Sequence, residues 1–143
     1  MIRLSNLADY AVVVMTAAAK CDDPRLSAAA VAAHTGIPAP TVAKLMGTLA
    51  KQGLLVSTRG VAGGFHLARA PGEISVAAIV EAVDGPIALT NCQDGEVSSC
   101  ALEGSCAVRG HWGPINRAVR DALLAVSLAD LLQPARIKAG VLA

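Results

Sequence analysis

The stretch Ser27–Arg69, SAAAVAAHTGIPAPTVAKLMGTLAKQGLLVSTRGVAGGFHLAR, decides the fold. Ser27 suits the cap of an Ala-rich helix over Ala28–Thr35, because its hydroxyl can accept a backbone N–H that the first turn leaves unpaired. Gly36 ends that helix, since a residue without Cβ enters the left-handed conformation at little cost. Ile37 and Pro38 then turn the chain. A second helix is predicted over about Pro40–Gln52, with Val42, Leu45, Met46 and Leu49 spaced along one apolar face and Thr41, Lys44, Thr48 and Lys51 on another. Gly53 closes it. Two short strands follow, Leu54–Ser57 and Phe65–Ala68, around a tip holding Gly60, Gly63 and Gly64, which is the pattern of a β-hairpin. Helix, turn, helix and hairpin in that order make a winged helix-turn-helix. Such a domain lays its second helix in the major groove of double-stranded DNA and extends the hairpin toward the minor groove. Thr41, Lys44, Thr48 and Lys51 on the helix, with Arg59 and Gly60 at the tip, are the candidate DNA-binding residues.

Charge supports the same partner. The formal net charge of the 143 residues is only +1, yet no Asp or Glu occurs from Pro24 to Gly72, where Arg25, Lys44, Lys51, Arg59 and Arg69 all fall. Lys and Arg contacts to phosphate dominate nonspecific affinity for DNA, and carboxylates nearby would repel the backbone. Taken singly, Lys44 or Arg59 reads as a solvated surface charge; it is their place in the winged-helix pattern that gives them a partner. The hydrophobic content of 54% with 2% aromatics favours close-packed helices, so the expected fold is mainly α with a small β-hairpin wing.

Outside this stretch the most informative feature is a polar loop, NCQDGEVSSCALEGSC, carrying Cys92, Cys100 and Cys106. Thiolates are soft donors suited to iron–sulfur clusters, zinc and Cu(I), and gaps of seven and five residues can wrap something larger than one ion. A structural zinc site prefers tight Cys-x2-4-Cys knuckles, absent here, while zinc on three cysteines with an Asp or His stays an open alternative; a thiol-only redox sensor would leave one of three cysteines unpaired after a single disulfide. An electron carrier would use the same thiolates but has no need of a basic winged helix. Cys21, beside Asp22 and Asp23, reads as a spare thiol; His34 and His66 read as surface histidines. No nucleophile–base set and no nucleotide loop suggests an enzyme or a small-molecule substrate.

Around the loop the periodicity is helical. Ile74 and Ser75 staple and cap a helix to Val83, stopped by Asp84, Gly85 and Pro86. Beyond it Trp112, Ile115, Val119, Ala122, Leu123 and Val126 form an apolar stripe, with Arg117, Arg120 and Asp121 off it. Pro114 implies that this helix begins near Gly113 or kinks there. Ser127 and Asp130 have capping-box spacing for a last helix over Leu128–Gln133, ahead of Pro134. The expected organisation is a DNA-binding domain over 1–86, a cysteine loop over 87–111, a long helix and a short one over 112–133, and a flexible tail over 134–143. Thr16 and Lys20 break the only early apolar run, so no membrane span is expected. Asp9 opens that run, which argues against a secretion signal and for a cytoplasmic chain.

The opening RLSNLADYA, the IP before the second helix, the wing STRGVAGGFHLAR, the segment ISVAAIVEAVDGP, the three cysteines and the late SLADLL together resemble the winged-helix iron–sulfur regulators related to IscR and NsrR, above all the SUF-system cluster-assembly regulators. The resemblance implies a homodimer on a palindromic operator. It also implies that the helix after the loop dimerises, and that one [2Fe-2S] or [4Fe-4S] cluster per subunit sits on Cys92, Cys100 and Cys106. A cluster of either type has four external positions. In IscR-like members a Cys-x-x-His spacing after the last cysteine fills the fourth, but here it lands on Arg109, which stays protonated; His111 lies two residues further on. In NsrR-like members a first-helix carboxylate of the partner subunit fills it, and Asp9 stands at that place. Asp9 is the favoured candidate, although a carboxylate in a first turn also complements its own helix dipole. A divergent branch recruits a histidine near the place of His34.

Overall fold

The computed structural model describes residues 3–21, 26–61, 63–93, 100–102 and 104–134. Ser5 caps the first helix, α1 (Asn6–Lys20), its hydroxyl accepting the Ala8 N–H at 3.0 Å. The small inward residues of this helix, Ala8, Ala11 and Ala18 with Val14 and Met15, let its neighbours approach closely. Helix α2 (Ala28–Thr35) is capped by Ser27 and stopped by Gly36 at φ 76°, whose N–H returns to the Ala32 carbonyl. Helix α3 (Ala39–Lys51) starts with Pro40 in its first turn, where the missing N–H costs nothing. Gly53, at φ 72°, turns the chain into the wing.

The wing pairs β1 (Leu55–Thr58) with β2 (Gly64–Leu67), antiparallel, in the register Leu55↔Leu67 to Thr58↔Gly64. Both strands lie within a residue of the sequence expectation. Leu26 adds a bridge to Phe65, whose N–H donates to the Leu26 carbonyl at 2.9 Å. After a 3-10 turn, Ser75 caps α4 (Val76–Asp84), which ends at Gly85 with φ 84°. Then come a 3-10 turn at Asn91–Gln93, the long α5 (Arg109–Leu124) and the short α6 (Leu128–Leu131).

One apolar core joins α1, α2, α3 and α4 with β1, around Met15, Val31, Met46, Leu49, Leu55 and Ile79. It does not stop at residue 86. Leu128 of α6 is fully buried in it, held there by hydrogen bonds from the Leu128 N–H to the Ile74 carbonyl (2.7 Å) and from the Val76 N–H to the Val126 carbonyl (2.8 Å). The capping box expected at Ser127 and Asp130 is formed, although α6 ends at Leu131 rather than Gln133. The tail is described only as far as Pro134, so the expectation for 135–143 lies outside the described residues.

Helix α5 differs from the expectation at its start. It begins at Arg109, not near Gly113, and runs through Pro114. Its first turn is set by the Arg109 N–H on the Cys106 carbonyl and the His111 N–H on the Val108 carbonyl; Pro114 comes a full turn later and removes one interior hydrogen bond. No residue of α5 is fully buried. Leu123 packs against Ala8, Val76 and Val80, while Ile115 and Leu124 stay exposed, as do Leu7, Tyr10 and Val13 on α1.

Candidate nucleic-acid interface and cysteine loop

Helix α3 is buried along Val42, Leu45, Met46 and Leu49. At 3.6 residues per turn the opposite side is the ridge Pro40, Lys44, Gly47 and Lys51. Lys44 and Lys51 are exposed, whereas Thr41 and Thr48 sit half-buried on its flank. The predicted polar face therefore divides into two outward cations and two shorter hydroxyls beside them. Among the described residues none of Lys44, Lys51 and Arg59 is engaged in a salt bridge.

The wing tip is held by its own backbone. Thr58 Oγ1 accepts the Gly64 N–H at 3.2 Å and donates to its carbonyl at 3.3 Å, and the Gly63 N–H closes onto the Gly60 carbonyl at 2.9 Å. Gly60 has φ 107°, and a Cβ at Gly63 would stand 2.3 Å from the Thr58 carbonyl oxygen. Both glycines are thus structural requirements of the turn. They leave Arg59, Gly60 and Val61 projecting into solvent, with His66 exposed on β2 behind them.

The cysteine loop leaves α4 at Gly85 and rejoins helix at Arg109. Cys92 lies in the 3-10 turn with Thr90 Oγ1 at 3.2 Å from its Sγ. Cys100 and Cys106 are half-buried like Cys92, and no disulfide joins any of the cysteines. Residues 94–99, between the first two thiols, lie outside the described residues. Cys106 is coupled directly to the next helix through its carbonyl.

Asn116, which the sequence reading passed over, clamps the first arm of this loop. Its Nδ2 donates to the Ile87 carbonyl at 2.8 Å while its Oδ1 accepts the Leu89 N–H at 3.0 Å. One turn on, Arg120 binds Glu81 of α4 through Nε at 2.6 Å and Nη2 at 3.1 Å. This hydrogen bond and the guanidinium charge hold the Glu81 carboxyl below its ordinary range and raise Arg120. Ser5 Oγ donates to Asp84 at 2.8 Å, so the start of α1 is tied to the end of α4. An Asn within a helical pattern is a weak signal, because its propensity is poor, but nothing local says what it binds.

The candidate fourth ligands are both exposed, Asp9 in the first turn of α1 and His111 in the first turn of α5. Among the described residues no three His, Cys, Asp or Glu side chains are gathered into a metal cage. The donor chemistry of the loop nevertheless fits a cluster: three unoxidised thiols, each partly screened from water, within one connection. His34 is elsewhere, lining with Lys20 and Cys21 a small cavity of about 200 Å³ between α1 and α2. No described helix is long and apolar enough to cross a membrane.

The Rrf2 family profile, described as an iron-dependent transcriptional regulator, matches residues 4–134. The HTH-type transcriptional regulator IscR of Xenorhabdus nematophila is 30% identical over 132 residues, covering 92% of this chain and 79% of the relative. Among solved structures, IscR of T. potens superposes with a TM-score of 0.68 at 25% identity, covering 92% of this chain and 86% of that one. CymR, the global cysteine regulator of B. subtilis, superposes with a TM-score of 0.70 at 25% identity, covering 92% and 97%.

Proposed function

Since the chain belongs to the Rrf2 family of iron-dependent transcriptional regulators, and is therefore a DNA-binding regulator rather than an enzyme, we propose that it acts as a homodimer whose affinity for a double-stranded operator follows the state of an iron–sulfur cluster on Cys92, Cys100 and Cys106. The observation that carries this reading is the seating of three half-buried thiols in the connection between α4 and α5. A fourth ligand from Asp9 of the partner subunit, or otherwise from His111, completes the donor set for a [2Fe-2S] or [4Fe-4S] cluster. The exposed apolar residues Ile115 and Leu124 on α5, with Leu7, Tyr10 and Val13 on α1, favour a second copy as the cover of this face.

When bound, such a cluster supplies a site that oxidants, nitric oxide or iron loss can alter. The chain's own residues carry the consequence. Asn116 fixes the loop arm to α5, Arg120 fixes α5 to Glu81 of α4, and α4 packs in the same core as α3. A change in loop geometry therefore biases the helix that presents Lys44 and Lys51. A differential of about 1–3 kcal/mol between two states changes DNA affinity roughly 5- to 150-fold. The motifs that resemble those of the SUF-system regulators support iron–sulfur cluster assembly genes as the targets under this proposal, with the cytoplasm as the site of action.

Anaerobic purification, visible and Mössbauer spectra, and DNA-shift assays with holo and apo protein on its own promoter test the proposal. Replacing any one of Cys92, Cys100 or Cys106 by Ser removes the cluster absorbance and leaves a folded dimer. A colourless, iron-free protein that binds DNA identically before and after reconstitution sinks the sensor reading. Stoichiometric zinc on the same cysteines replaces it with a zinc-dependent regulator.

A further inference from the structure

Gly47 stands in the middle of α3, and nothing inside the molecule explains it. Glycine weakens a helix interior relative to alanine because its unfolded backbone has more freedom to lose. That cost is commonly offset where a left-handed φ or a tight contact forbids a side chain. Neither applies: Gly47 is not among the positive-φ glycines, and a Cβ built there has no atom within 4 Å. Gly63, where a Cβ collides with backbone, shows what an internal requirement looks like in this chain. Neither backbone conformation nor packing within the described residues requires glycine at this position.

Gly47 falls on the ridge opposite Val42, Leu45, Met46 and Leu49, with exposed Lys44 one turn before it and exposed Lys51 one turn after. The two lysines are ~10 Å apart along the helix axis, enough to reach separate phosphates. No Asp or Glu occurs from residue 24 to 72 to offset them. The ridge thus presents a half-buried glycine, without a side chain, between two exposed cations, a shape that suits a polyanion coming closer than a methyl group would permit. We propose that Gly47 is a close-approach position at which the backbone of α3 meets double-stranded DNA, with Lys44 and Lys51 holding phosphates on either side. The inference rests on the DNA-binding part of the reading above and is independent of the cluster.

Gly47→Ala tests it, because folding and binding move in opposite directions. The apo variant melts about 4 °C higher than wild type, through helix propensity alone, yet binds its own promoter fragment at least ~10-fold more weakly. The slope of log affinity against log salt stays at the wild-type value, since no phosphate contact is removed, whereas Lys44→Ala reduces the magnitude of that slope by about two, one contact for each subunit of the dimer. Gly47→Val, bulkier, binds more weakly still. Affinity for Gly47→Ala equal to or tighter than wild type, while Lys44→Ala weakens binding, overturns the proposal and leaves the DNA-binding reading standing. Promoter binding absent in wild type, both as apo and as reconstituted protein, overturns both. A changed dimer constant with unchanged DNA affinity assigns the position to protein contact and overturns the proposal too.

Discussion

Arg120 grips Glu81 with two nitrogens, Nε at 2.6 Å and Nη2 at 3.1 Å, and so fastens α5 to α4. Asn116, one turn earlier on α5, holds the loop arm at Ile87 and Leu89. The two side chains form consecutive rungs, one toward the cysteine loop and one toward the DNA-binding domain. Helix α5 has no fully buried residue of its own, so these polar rungs, with Leu123 in the smaller apolar cluster, fix its position against α4 and the loop arm.

The Glu81 rung titrates in acid. Its carboxyl lies below the ordinary carboxylate range, chiefly through the hydrogen bond from Arg120; burial opposes this in part, and the guanidinium charge and the Ile87 backbone N–H add to the lowering. A depressed folded-state value means that the bridge contributes fully above the unfolded carboxylate range and is lost as pH falls through the lower, folded value. The Arg120 side chain is 43% exposed, so screening keeps the contribution small. Asp130, depressed by the Ser127 hydroxyl and then the Ser127 backbone N–H, titrates in the same region, and the single variant separates them. Thermal melts of wild type and Glu81→Gln should differ near neutrality and converge below the usual carboxylate range. A difference that is constant across pH would mean that the ion pair contributes nothing.

Asn116→Leu keeps the size of the side chain and removes both of its hydrogen bonds. The half-buried Ile87 carbonyl and Leu89 amide then lose their partner, at a cost of about 1 kcal/mol for each group left unpaired. Hydrogen exchange at the Leu89 amide should speed up by roughly tenfold while the amides of α2 and α3 keep their protection. Asn116→Asp retains the acceptor for Leu89 and restores part of that protection. Unchanged exchange at Leu89 in the Leu variant would show that other contacts hold the arm.

Leu128→Ala reports on a contact between distant parts of the chain. Leu128 is fully buried in the core that includes Ile74 and Ile79, and truncating a buried leucine costs about 2–5 kcal/mol. The loss should appear as a lowered melting temperature of the whole protein with unchanged cooperativity. A biphasic melt in which the wing domain keeps its wild-type transition would show that α6 is a separate appendage.

The contrast between what was and was not legible follows the range of the interactions. Ser27, Gly36, Gly53, Ser75 and the Ser127–Asp130 box act within a few residues, and the helices they bound were read to within about two residues. Pro114 leaves two readings open, a start near Gly113 or an interior proline, and only the second agrees with a helix that begins at Arg109; the turn that initiates it is set by backbone bonds to Cys106 and Val108 that no residue type advertises. Leu128 reads as the start of an amphipathic helix, but its burial beneath α4 depends on how the chain returns after α5. The cysteines were conspicuous because three thiols in a polar loop have few other uses; Asn116 and the Glu81–Arg120 pair were silent because each partner lies 27 to 39 residues away.

The fourth ligand can be decided by complementation between subunits. Asp9 lies in the first turn of α1 and His111 in the first turn of α5, both solvent-facing, so either side chain is accessible to a second copy. If Asp9 serves its partner, a homodimer of Asp9→Ala subunits assembles a cluster with altered visible spectrum and faster loss in air, because an exchangeable solvent ligand replaces a carboxylate. A heterodimer that pairs an Asp9→Ala subunit with a Cys92→Ser subunit then separates action across the interface from action within a chain. Across the interface, the intact cysteines of the first subunit meet the intact carboxylate of the second, and one cluster per dimer should form with the wild-type spectrum. Within a chain, neither subunit holds a full set, and no wild-type signal should appear. His111→Ala in the same assay should leave the spectrum unchanged; loss of the wild-type signal there, with Asp9→Ala silent, would transfer the role to His111.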